Sequence, residues 1–100
     1  PVSDRQSLVM ESNVLAAGIS AEVPTVTASE IQATATTRLF NERQVPVTVH
    51  YRFFWYDARG LEMHPLESAR SITVPAHSSV TLYDSANILG AHKARLYLYL

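Results

Sequence analysis

Val45-Pro46-Val47-Thr48-Val49-His50-Tyr51-Arg52-Phe53-Phe54-Trp55-Tyr56-Asp57 alternates by twos along its whole length. Val45, Val47, Val49, Tyr51, Phe53 and Trp55 share one parity, and Pro46, Thr48, His50, Arg52, Phe54 and Tyr56 share the other. A period of two in β-branched and aromatic residues predicts a long strand with one face buried. Pro46 has no amide to donate, so it marks the start of that strand or an edge position. Asp57-Ala58-Arg59-Gly60 reads as a turn, because glycine takes a positive φ at little cost. Leu61 to His64 then resumes a short extended piece that ends at Pro65, which predicts a hairpin.

Working outward, the same period recurs. Ile31, Ala33, Ala35, Thr37 and Leu39 alternate with Gln32, Thr34, Thr36, Arg38 and Phe40, and the threonines favour strand over helix. Ser71–Val74, Ser79–Tyr83 and Arg95–Leu100 read as further strands, and Leu8–Met10 as a short one. The helical candidate is Ser85–Leu89, stopped by Gly90. Residues 16–28, with Gly18 and Pro24, read as a loop crossing between sheets, and residues 1–6 as a frayed tail. About seven short strands separated by turn signals predict a single domain over residues 1–100. Its fold class is all-β, an antiparallel immunoglobulin-like sandwich.

Composition agrees with a folded domain and narrows its function. A chain of 100 residues buries about 65% of its unfolded surface, enough for one core without metals or disulfides. The apolar fraction of 47% excludes a disordered chain. Nine acids against eight bases give a net charge of −1, which makes no electrostatic case for nucleic acid. No apolar run approaches the roughly 20 residues of a membrane-spanning helix. With no cysteine there is no disulfide, zinc–thiolate site or thiol nucleophile. Charged residues make up only 17%, so serine and threonine must supply much of the polar surface.

Asn41-Glu42-Arg43, Pro46–Phe53, Trp55–Leu61 and the ending Leu89–Lys93 with Arg95–Leu100 form a distinctive set. Together they resemble the YcfL family of small enterobacterial lipoproteins of uncharacterised function, from Gln6 onward. The resemblance implies an immunoglobulin-like sandwich on the periplasmic side of the envelope, held at the outer membrane by a lipidated N-terminus. The lipidated cysteine would lie upstream of Pro1. The resemblance transfers no catalytic or ligand-binding residue to these positions.

The residues themselves carry no nucleophile-elbow or S-x-x-K arrangement, so no catalytic residue is assigned. Glu62, His64 and Glu67 read as a solvated hairpin rim. His50, His64, His77 and His92 have no metal-ligand spacing, and no metal or other cofactor is assigned. Trp55, on the inward row, reads as the core tryptophan of the third immunoglobulin strand, beside Leu82, Leu96, Leu98 and Ile72.

The opposite row carries the functional expectation. If Trp55 faces in, then His50, Arg52, Phe54 and Tyr56 face out. Arg95, Tyr97 and Tyr99 do the same on the last strand, and Tyr83 on the strand before it. Placing Val45–Asp57, Ser79–Tyr83 and Arg95–Leu100 in one sheet gathers these eight residues on one outer face. Tyrosine, phenylalanine and arginine in such a group are typical of binding hot spots. The structural alternative is cross-strand aromatic pairing under the 16–28 loop. The resulting expectation is a non-enzymatic module that binds an envelope protein or a second copy of itself, the latter by edge pairing of the last strand. The alternative is a small-ligand or metal-binding lipoprotein with a pocket that collects two histidines or several tyrosines.

Overall fold

A computed structural model describes residues 7–100; the tail expected over residues 1–6 lies outside the described residues. The chain forms β1 (Leu8–Met10), α1 (Ser12–Ala16), β2 (Ile19–Ala21), β3 (Thr25–Ala28), β4 (Ala33–Asn41), β5 (Val47–Tyr56), β6 (Arg70–Val74), β7 (Ser79–Ser85) and β8 (Lys93–Tyr99). One sheet, sheet A, has the order β1-β8-β5-β6. In the other, sheet B, β2 and β3 lie end to end along one edge of β4 and β7 lies along the other. The expected all-β sandwich is therefore the fold. Among the described residues the one parallel pair is β1 beside β8, with Leu8 opposite Leu96 and Met10 opposite Leu98.

Parity fills the space between the sheets. Val49, Tyr51, Phe53 and Trp55 of β5 and Ala94, Leu96 and Leu98 of β8 point inward from sheet A. Ala33, Ala35 and Leu39 of β4, Ile19 of β2 and Leu82 of β7 meet them from sheet B. On the outer face of sheet B, Thr25 lies opposite Thr36, Thr27 opposite Thr34 and Arg38 opposite Thr81. This is the hydroxyl-rich surface that the low charge content requires.

Buried Asn41 ties the β4–β5 connection to β6. Its Nδ2 donates to the Val45 carbonyl at 2.8 Å and the Val74 carbonyl at 3.1 Å, and its Oδ1 accepts from the Arg43 amide at 2.8 Å. All of the side chain's polar atoms are thus used, as burial demands. Arg43 reaches on to the Ala16 carbonyl at 3.0 Å, at the end of α1. That reach runs close against Gly18, whose φ is +92°.

Three expectations are corrected. Helix forms at Ser12–Ala16, not at 85–89, where the Ala86 amide donates to the Ala33 carbonyl at 2.9 Å and carries the β7–β4 ladder past the end of the strand. Residues 16–28 run from the end of α1 through β2 and β3, which are held to β4 in sheet B, so they do not lie over the outer face of sheet A. The last strand is flanked by β5 on one side and, along Leu96–Leu98, by β1 on the other, so those residues offer no free edge for pairing with a second copy.

Candidate functional site

The outer face of sheet A holds seven of the eight predicted residues. In register, His50 lies opposite Tyr99, Arg52 opposite Tyr97, Phe54 opposite Arg95 and Tyr56 opposite Lys93. The His50 and Tyr99 rings stack with centroids 5.4 Å apart, and Tyr97 lies 5.8 Å from Tyr99. The Arg52 guanidinium sits 5.8 Å from the Phe54 ring centre, and that of Arg95 sits 5.5 Å from the Tyr56 ring centre, both within cation–π range. Arg52 Nε is buried with no hydrogen-bond acceptor among the described residues, and packing on Phe54 contributes to holding this side chain. The Tyr97 hydroxyl donates to Glu11 Oε2 at 2.5 Å, and this bond raises the phenol above its ordinary pKa. Glu11 occupies the N-cap position of α1, but its side chain makes no capping hydrogen bond there.

Two members depart from the expectation. Tyr83 lies in sheet B opposite Thr36, 54% exposed on the far side of the molecule. Alternation along Ser79–Ser85 fixes which face Tyr83 takes but not which sheet holds the strand. Tyr56 has the predicted parity but is only 7% exposed. Arg95 covers its ring, and the hairpin piece pairs beside it at Glu62. Burial raises its phenol, with Arg95 opposing and Glu62 adding to the rise. His50 remains exposed, and Arg52, Phe54, Arg95, Tyr97 and Tyr99 are partly exposed.

A second constellation lies between the sheets, at the end where β5 and β7 finish. Asp84, on the inner face of β7, is 7% exposed. Trp55 Nε1 donates to its Oδ2 at 2.8 Å, and Arg70 donates to its Oδ1 at 2.9 Å. The core tryptophan of this sandwich thus rests on a carboxylate where antibody domains have a disulfide. Arg70, at the start of β6 with its side chain 40% exposed, lies 5.1 Å from the Tyr51 ring centre and 5.7 Å from that of Phe53. It also lies 3.8 Å from Glu67. Burial pushes the Glu67 carboxyl up to about 7; the adjacent Asp84, by hydrogen bond and by charge, adds to the rise, while Arg70 and Trp55 oppose it.

These groups border a cavity of about 500 Å³ walled by Phe53, Trp55, Met63, Leu66 and Ile88. No histidine or tyrosine lines it, contrary to the expected pocket. His50 is on sheet A, His64 lies 3.8 Å from Glu62 on the exposed hairpin rim, and His77 and His92 sit in separate connections. Among the described residues no three acidic, histidine or cysteine side chains gather as a metal site. Sequence reasoning missed Arg70, Asp84 and Glu67. A signal existed for two of them: Arg70 shares parity with Ile72 and Val74, and Asp84 shares it with Val80 and Leu82.

The family described as protein of unknown function, DUF1425, matches residues 6–100. The chain belongs to the DUF1425 family. It is 74% identical over 100 residues to the uncharacterized protein YcfL of Escherichia coli K12, covering all of this chain and 80% of that protein. Two crystal structures share the fold at 17% identity each. A DUF1425 member from Shewanella sp. pv-4 superposes with a TM-score of 0.74, over 82% of this chain and 77% of that one. Campylobacter jejuni cj0090 gives 0.68 over 93% and 96%. At that identity the DUF1425 likeness speaks for the sandwich alone.

Proposed function

We propose that this DUF1425 domain is a non-enzymatic interaction module, carried on the periplasmic side of the envelope by a lipid-anchored protein. The tether and its outer-membrane location rest on the lipoprotein resemblance of residues 41–61 and 89–100. The docking surface is the outer face of sheet A, and its partner is an envelope protein. One observation carries this reading. Six side chains, His50, Arg52, Phe54, Arg95, Tyr97 and Tyr99, form a continuous aromatic and guanidinium surface over two central strands and keep part of it open to solvent. Rigid aromatic and arginine groups lose little entropy on docking and dominate binding energy at interfaces.

The test is photo-crosslinking in the native envelope with the full-length precursor. The crosslinker is placed at His50 or Tyr97, with Tyr83 as the control on the opposite sheet. Discrete adducts from His50 and Tyr97 that Tyr83 lacks are the expected result. Equal adducts from all three, or none from the first two, overturn it. An adduct of twice the monomer mass makes the partner a second copy of this chain.

A further inference from the structure

We propose that the cavity at the Trp55 end of the sandwich binds an organic cation, an amine or guanidinium carried on an apolar body. This site is separate from the outer face of sheet A.

Shape and charge point the same way. The space of about 500 Å³ has apolar walls from Phe53, Trp55, Met63, Leu66 and Ile88 beside polar groups that include Ser68, Ser85 and Asn87, the mixed lining of small-molecule sites. Three charged groups border it: Asp84 from β7, Arg70 from β6 and Glu67 from the connection before β6. Arg70 is committed, held at 2.9 Å by Asp84 and packed over two aromatic rings. Asp84 is committed too, with one oxygen on Arg70 and the other on Trp55. Glu67 lies beside Asp84 and Trp55 and 3.8 Å from Arg70, the one cation near it, whose charge Asp84 already balances among the described residues. An ionised Glu67 is therefore a surplus negative charge beside apolar walls, where desolvation is costly. A proton relieves it, and burial with the neighbouring Asp84 raises Glu67 to about 7 for that reason. A bound cation relieves it equally well, displaces the proton, and lays its apolar body along Phe53, Leu66 and Ile88. An anion would meet two carboxylates, and a neutral ligand would leave the charge unanswered.

Trp55 lines the cavity and is the only tryptophan, so its emission reports occupancy directly. The probes are phenethylamine, its alcohol analogue phenethyl alcohol, and the anion 3-phenylpropionate, titrated at pH 8.0 and pH 5.5. Saturable binding of the amine at pH 8.0, at least tenfold tighter than the alcohol or the acid, is expected. Competition with a proton that titrates near 7 weakens amine binding about thirtyfold at pH 5.5. Glu67→Gln, at a partly exposed position, keeps the fold by circular dichroism and abolishes both the preference for the amine and its pH dependence. Alcohol binding as tight as amine binding overturns the proposal. So does amine affinity that survives Glu67→Gln, or no saturable binding of the amine at millimolar concentration.

Discussion

The indole N–H of Trp55 on sheet A and the carboxylate of Asp84 on sheet B meet at 2.8 Å inside the sandwich. The two sheets are thus joined by a charge-assisted hydrogen bond as well as by packing. Such a bond is stronger than a neutral one, and losing one side of it strands the other. Trp55→Phe keeps a large aromatic ring but leaves Asp84 Oδ2 buried without its donor. We expect a loss of about 1–3 kcal/mol beyond the packing change. Urea unfolding measures it, and a double-mutant cycle with Asp84→Asn shows whether the loss belongs to this pair.

Glu67 makes stability depend on pH. Its carboxyl titrates near 4.5 when unfolded and about 7 when folded. The folded state therefore binds the proton more tightly, and its contribution is fully present below about pH 4.5. It is lost as pH rises to about 7 and is level above that. Glu67→Gln removes this slope. Urea midpoints at pH 5 and pH 8 should differ more for the wild type than for the variant, with the wild type relatively more stable at pH 5.

Gly18→Ala should destabilise the fold by more than about 1 kcal/mol. The backbone there has a φ of +92°, and an added Cβ would lie 2.5 Å from Cγ of Arg43. Arg43→Ala in the same chain relieves the contact but not the φ, so it restores only part of the melting temperature.

Asn41→Leu should cost about 2 kcal/mol, because it removes a donor from the Val45 and Val74 carbonyls and the acceptor of the Arg43 amide, the Val74 bond buried and the other two partly buried. Hydrogen exchange should quicken first at the Asn41–Val47 connection.

On the outer face of sheet A, Phe54→Thr, Tyr97→Thr and Tyr99→Thr together should leave a folded domain. Each removes a cross-strand contact of about 0.2–1 kcal/mol, and threonine suits a strand. Crosslinked adducts from His50 should vanish while the circular dichroism spectrum stays the same. An unfolded triple variant would instead make these side chains part of the core.

The strands were legible wherever one face is buried, because burial imposes a period of two. The rows of β5, β4 and β8 follow from it, and with them the inward Trp55 and the outer-face neighbours His50, Arg52 and Phe54. Pairing is less legible. Ser79–Ser85 has the same alternation whichever sheet receives it, so parity alone does not reveal that Tyr83 belongs to sheet B. The helix was equally hard to place. Ser12–Ala16 is five residues with no side-chain cap and no acid in its first turn, so tertiary contacts through buried Val14 hold it. The Trp55–Asp84–Arg70 cluster was foreshadowed only by charges at core-facing parity, and Glu67 not even by that. Its position depends on the path of a connection, which no periodicity encodes.

β1 is parallel to β8, and the Leu96 amide donates to the Ser7 carbonyl at one end of the pair while the Glu11 amide donates to the Leu98 carbonyl at the other. A pull applied to the chain at Ser7, with resistance at the far end of β8, runs along the strands. It loads these bonds together in shear rather than peeling them one after another. A domain held from its N-terminal side and gripped by a partner on the face of sheet A would meet tension through its stiffest geometry.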